Sequence, residues 1–216
     1  MAKTVSAYSC TECGWKTTKW VGRCAECQQW GTVLETSTKT GLQRQLNVVR
    51  PISGSEARPI TQLSGESLKH EPTGIGEFDR VLGGGLVAGA AILLSGEPGI
   101  GKSTLLLSVA AKVAAQGKKV LYLSAEESIN QVRLRAERTG AMIDTLYLAS
   151  ETDLELALGQ LEQIDPDLLI VDSVQTVFSP NIEGIAGGPS QVREVASVLT
   201  RIAKSRAMPT IMVGHV

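Results

Sequence analysis

Beyond residue 73 the chain alternates between short apolar runs and longer stretches rich in helix formers. Residues 90–95 (Ala-Ala-Ile-Leu-Leu-Ser) read as a buried strand and 104–111 as the helix that follows it. Further strand signals lie at 118–124, 146–148, 168–172 and 210–214. Helical signals lie at 129–138, 153–164 and 189–206, the second stopping at Asp165-Pro166 and the third opening on Pro189-Ser190. Strands that are apolar throughout, instead of alternating, belong in a parallel sheet covered by helices on both faces. The expected class is α/β with a parallel sheet over residues 69–216.

The first 68 residues carry a different pattern. Residues 36–68 are polar, dotted with Pro51, Pro59, Gly54 and Gly65, and made basic by Arg44, Arg50 and Arg58, so they read as a linker with little regular structure. All four cysteines fall ahead of it, as Cys10-x₂-Cys13 and Cys24-x₂-Cys27. Two such pairs can close a tetrahedral thiolate site, each forming one turn-like knuckle, with Gly14 and Gly22 helping the backbone curl. Residues 1–35 are therefore expected to be a minimal ribbon around structural Zn²⁺. Iron in a rubredoxin-like site uses the same ligands and stays open. Trp15, Trp20 and Trp30 lie in the same segment with Tyr8, interleaved with Lys16, Lys19 and Arg23. They read equally as a stacking and phosphate-binding surface or as the small core of the ribbon. Trp20 and Trp30 are expected in that core, with Lys16 and Lys19 on the surface.

Composition narrows the class. Apolar residues make up 43% of the 216 and charged residues 20%, as in globular proteins with a substantial core. No apolar run is long enough to span a bilayer, and the N-terminus has no signal-peptide pattern. A cytoplasmic protein without a membrane partner is the expectation. Net charge is −1 but uneven: residues 1–70 hold nine Lys/Arg and five Asp/Glu, against twelve and seventeen in the remainder. The basic front hints at a nucleic-acid partner.

The densest chemistry is Gly96-Glu97-Pro98-Gly99-Ile100-Gly101-Lys102-Ser103, followed by Thr104. It fits the phosphate-binding loop G-x-x-x-x-G-K-[ST] at every fixed position, and it sits between a strand and a helix as that motif requires. Glycines let backbone N–H groups approach phosphate oxygens, Lys102 can reach the β- and γ-phosphates, and the Ser103 hydroxyl can ligand Mg²⁺. Residues 168–172 (Leu-Leu-Ile-Val-Asp) end an apolar strand in a carboxylate, which places Asp172 toward the Mg²⁺ shell. Glu126 and Glu127 follow another strand. One can act as general base toward water, or both can cap the next helix. His215 lies past the last strand, where a polar side chain can sense the γ-phosphate.

Taken together these residues resemble the bacterial RadA (Sms) family of DNA-repair ATPases, which is distinct from the archaeal recombinase of the same name. The likeness covers essentially the whole chain. It rests on the cysteine knuckle with Trp30, on Thr73-Gly74-Ile75-Gly76-Glu77-Phe78-Asp79-Arg80-Val81-Leu82-Gly83-Gly84-Gly85-Leu86, and on the phosphate loop. Ser124-Ala125-Glu126-Glu127-Ser128, Val171-Asp172-Ser173-Val174-Gln175-Thr176 and Gln191-Val192-Arg193-Glu194 complete it. The resemblance implies a RecA-like P-loop ATPase that uses ATP and Mg²⁺, binds single-stranded or branched DNA and promotes branch migration. It further implies a homo-oligomeric ring and a recombinase or replicative helicase as partner. It selects Glu126 over Glu127 as the catalytic carboxylate and makes His215 the γ-phosphate sensor. It also puts the loop at 179–189, with Gly184, Gly187 and Gly188, in a DNA-contacting position. That loop has no Lys or Arg and includes Glu183, a departure from a phosphate-binding surface.

The family continues past the point matching Val216 with further core strands, a Lys-Asn-Arg-Phe-Gly motif and a Lon-protease-like domain. The expectation for this length is a fragment or truncated product that binds ATP and zinc but hydrolyses and assembles poorly. A second class stands beside the motor: a nucleotide-dependent switch or adaptor whose ribbon docks a protein. The cysteine knuckle argues against a circadian-clock-type ATPase.

Overall fold

The computed structural model describes residues 7–36, 57–62 and 69–215. The chain divides into two compact units, Met1–Leu63 and Ser64–Val216.

In the front unit, β1 (Ala7–Cys10) pairs antiparallel with β2 (Lys16–Thr17) on one side and β3 (Val33–Thr36) on the other. The two cysteine turns are built alike. Gly14 N–H donates to the Cys10 carbonyl at 3.0 Å, and Gln28 N–H donates to the Cys24 carbonyl at 3.1 Å. Gly14 and Gln28 both adopt positive φ, 74° and 59°. Gly22, expected to help the chain curl, has no such conformation, and Gln28 closes the second knuckle. The core is Cys10, Cys24 and Val33, with Tyr8, Trp15, Val21 and Cys27 packed against it. Trp20 and Trp30, expected in that core, are 66% and 73% exposed. The sulfurs and Trp15 fill the little interior there is, which leaves no room for two more indoles. Of the linker at 36–68, residues 60–62 form a short 3₁₀ turn; most of the rest lies outside the described residues.

The second unit bears out the α/β expectation. Its main sheet has the order β6-β10-β9-β7-β8, all parallel, from β6 (Ala91–Gly96), β7 (Val120–Ser124), β8 (Leu146–Ser150), β9 (Leu168–Asp172) and β10 (Thr210–His215). Alternate residues of the buried strands feed opposite faces. Val120, Tyr122, Leu168, Ile170, Ile211 and Val213 join the layer of α2 (Lys102–Ala115) and α3 (Ile129–Thr139). Leu121, Leu123, Leu169, Val171 and Met212 join the layer of α4 (Leu154–Ile164) and α5 (Pro189–Ser205). Both faces are covered, which is why these strands lack polar alternation.

Ahead of this sheet lie pieces too short to show periodicity: α1 (Gly76–Val81) and the antiparallel pair β4 (His70–Glu71) with β5 (Leu86–Val87). Asp79 fixes the entry to α1 by accepting from Thr73 N–H at 2.8 Å, Thr73 Oγ1 at 2.7 Å and Gly74 N–H at 3.2 Å. Burial opposes the Asp79 charge, but these donors outweigh it and hold the carboxyl below its usual range. The return runs through Gly85, at φ +133°, where a Cβ would stand 2.3 Å from the Glu71 carbonyl oxygen. Gly85→Ala is expected to destabilise this unit by about 2–4 kcal/mol, read as a lower urea midpoint. An unchanged midpoint would mean the turn rebuilds without strain.

Candidate nucleotide and metal sites

The strand ends carry the site. Strand β6 ends at Gly96 and the loop climbs into α2 through Gly101, whose φ of 99° is left-handed. A side-chain-bearing residue there would be strained, so glycine is what lets the chain enter α2 with its N–H groups turned to an anion. Lys102 is buried at the first turn, and its Nζ donates to the Gly96 carbonyl at 2.7 Å and the Glu97 carbonyl at 2.8 Å. Beside it is a cavity of about 290 Å³ whose walls include Lys102, Ser103, Thr104, Glu126, Glu127, Arg135 and His215.

Sheet order explains how residues far apart in sequence meet here. Strand β10 lies against β6 with His215 opposite Gly96, and β9 lies against β7 with Asp172 opposite Ser124. The turn after β7 then brings Glu126 to the cavity. Glu126 Oε1 accepts from the Ser173 hydroxyl and from His215 Nε2, the latter at 2.9 Å. Burial alone would raise the Glu126 pKa. The bonds from Ser173 and His215, with the charge of Lys102, overcome it and hold the carboxyl below its ordinary value. Glu126 is therefore ionised at neutral pH and able to accept a proton.

Glu127 lines the same cavity with different partners. It forms an ion pair with Arg135, while its carbonyl accepts from Ser124 Oγ at 2.8 Å. Neither glutamate caps α3. Gln131 Oε1 takes both the backbone N–H and the hydroxyl of Ser128, at 3.0 and 2.8 Å, closing that helix end without an acid. Asp172 is 4% exposed, accepts from Tyr122 Oη at 2.6 Å, and is not among the cavity's lining residues. Burial first, and the Asp172 charge next, push the Tyr122 phenol far up, so it remains a donor to Asp172.

Sequence reading gave no role to the side chains that tie these pieces together. Gln175 makes a reciprocal pair with the His215 backbone: its Nε2 donates to the His215 carbonyl and its Oε1 accepts from the His215 N–H, both at 3.0 Å. On α5, buried Gln191 accepts from Ser179 N–H at 2.8 Å and donates to the Ser179 and Ile182 carbonyls at 3.1 and 3.0 Å. The loop between β9 and α5 is thus pinned at its root, whereas Ile185 in its middle is 82% exposed. The signal for Ser173 and Gln175 was their place one and three residues beyond Asp172.

In the front unit the four cysteine Sγ atoms lie within 4.8 Å of one another, with Cys10–Cys27 and Cys13–Cys24 both at 3.6 Å. A metal with bonds of about 2.3 Å to four tetrahedral sulfurs separates them by about 3.8 Å, so the cage fits such an ion closely. Cys10 Sγ lies 3.3 Å from Thr32 Oγ1, a hydroxyl that can donate to the sulfur once it is the thiolate a metal needs. Among the described residues no helix is long and apolar enough to cross a membrane.

Comparison with known proteins agrees with both halves. The model of the AAA domain family matches residues 62–216, and that of the rubredoxin metal binding domain matches residues 8–35. The DNA repair protein RadA of Mycolicibacterium smegmatis is 50% identical over 221 residues, covering 100% of this chain and 47% of that protein. RadA of Mycobacterium tuberculosis H37Rv is 47% identical over 220 residues, covering 100% and 45%. RadA of Listeria monocytogenes is 42% identical over 217 residues, covering 100% and 47%. The chain spans about half the length of these curated relatives.

Proposed function

The chain belongs to the AAA domain family, and from that premise we propose that it hydrolyses ATP to act on DNA in repair, binding single-stranded or branched DNA and promoting branch migration of recombination intermediates. The observation that carries the hydrolytic part is the ionised Glu126 at a strand end, facing the same cavity as Lys102 and bonded to His215. Lys102 and the N–H groups opening α2 hold the β- and γ-phosphates. Ser103 and Asp172 are the residues that would hold Mg²⁺, which neutralises charge on the phosphates when bound. Glu126 takes the proton of the water whose oxygen bonds to the γ-phosphorus. The bond from that phosphorus to the β–γ bridging oxygen breaks, giving ADP and inorganic phosphate. His215, one hydrogen bond from Glu126, senses the γ-phosphate and relays its presence to the base.

The DNA part is supported by the relatives named as DNA repair proteins. Assembly into a ring, and a recombinase or replicative helicase as partner, belong to the same reading. So do a cytoplasmic location and structural Zn²⁺ in the cysteine cage, since reduced thiols are held in that compartment. The test is the rate of ATP hydrolysis with and without single-stranded DNA, on this chain and on a C-terminally extended one. DNA is expected to raise the rate of the extended chain several-fold. A rate indifferent to DNA sinks the motor reading and favours a nucleotide-dependent adaptor.

A further inference from the structure

We propose that Trp20 and Trp30, with Arg23 over one ring and the exposed Lys16 and Lys19 on the same unit, form a stacking site for single-stranded DNA on the front unit. The inference rests on the DNA-directed reading above and adds to it a place on the molecule.

Large indoles left 66% and 73% exposed in a unit with so small a core are not leftovers of folding. They also converge. A Cβ built on Gly22 would lie 3.8 Å from the ring of Trp20 and 3.8 Å from the ring of Trp30, so one point of backbone touches both. The guanidinium of Arg23 lies over Trp30, 5.7 Å from its centroid. It is held there by its bonds to the Gln28 carbonyl at 2.8 Å and Gln28 Oε1 at 2.9 Å. Trp30 keeps its exposure with the arginine in place, and the remaining guanidinium N–H groups are available to a phosphate.

Lys16 and Lys19 are exposed in the same unit, and Thr18, Lys19, Arg23, Gln28 and Gln29 flank the two rings in sequence. Glu12 and Glu26, the acidic side chains described there, sit one inside each cysteine turn. Val21, the aliphatic neighbour of Trp20, packs against the small core; an aromatic pair otherwise flanked by cations and amides matches unpaired bases on a phosphate backbone better than an apolar protein surface.

The chain offers a clean readout. All three tryptophans lie at positions 15, 20 and 30, so indole emission reports on the front unit alone. An oligo(dT) of about twenty nucleotides should quench that emission, saturating at the concentrations that saturate the anisotropy of the same oligomer carrying a label. A duplex with as many phosphates should leave the emission unchanged, because its bases are already stacked. Trp20→Leu and Trp30→Leu should each weaken oligo(dT) binding about tenfold, with the metal content kept at wild-type level to show that the ribbon still folds. Trp30→Phe should recover part of the loss. Anisotropy that rises without quenching, or leucine variants that bind as well as wild type, would overturn the stacking site and leave the DNA reading standing. No anisotropy change with any DNA would remove both.

Discussion

Glu126→Gln is expected to lower the rate constant for ATP hydrolysis by about 10²–10⁴-fold while leaving ATP affinity nearly unchanged. The glutamine keeps the size of the side chain and an acceptor for Ser173 and His215 but cannot take a proton from water. Glu127→Gln is the informative contrast. Glu127 neutralises Arg135, whose side chain is 16% exposed, and has no bond to His215 or Ser173. Losing its charge should cost about 1–2 kcal/mol of stability and leave most of the turnover. His215→Ala removes the proposed γ-phosphate sensor and one of the donors to Glu126, so its effect should lie between the two. The comparison uses single-turnover hydrolysis with ATP affinity measured alongside. If Glu127→Gln proves to be the inactive variant and Glu126→Gln the active one, the division of roles between the neighbouring acids is reversed.

That division shows where sequence reading stops. The strands were legible because burial on both faces leaves an apolar run, as in Leu168–Asp172, and the phosphate loop because its spacing is dictated by phosphate geometry. Neither signal can tell Glu126 from Glu127, since they follow the same strand by two and three residues. Their difference is made by partners 47 and 89 positions away, Ser173 and His215, brought in by the order β6-β10-β9-β7. Gln175 and Gln191 stood in motifs that carry the resemblance, but their roles were not legible for the same reason: a glutamine's partner is unknown until the fold supplies a backbone to pair with it. The short pieces around Thr73 and Gly85 were missed because six helical residues and two-residue strands show no period. The misplacement of Trp20 and Trp30 has another cause. Hydrophobicity argues for burial, yet a unit this small has almost nothing to bury them in once the cysteine cage is formed.

The same shortage should make the front unit dependent on a metal in the cysteine cage. Of its buried apolar positions among the described residues, Cys10 and Cys24 belong to the cysteine cage and Val33 alone does not. Removing the ion leaves four thiols facing one another across 4.8 Å or less and almost no interior to offset the entropy of ordering the chain. Chelation is therefore expected to unfold residues 7–36, shifting tryptophan emission to the red and exposing the segment to protease. Cys24→Ser should do the same without chelator, because it takes away a buried ligand rather than a surface one. Structural zinc in comparable small domains contributes about 10–16 kcal/mol of apparent binding energy at neutral pH, far more than this unit can replace. The melting transition of the ATPase unit should stay where it is, since its two helix-covered faces form cores of their own. Metal analysis should return one zinc per chain. Iron would announce itself by visible absorption and would reassign the ion without moving the ligands. Tryptophan emission that does not respond to a chelator able to strip the metal would show that the ribbon holds itself together.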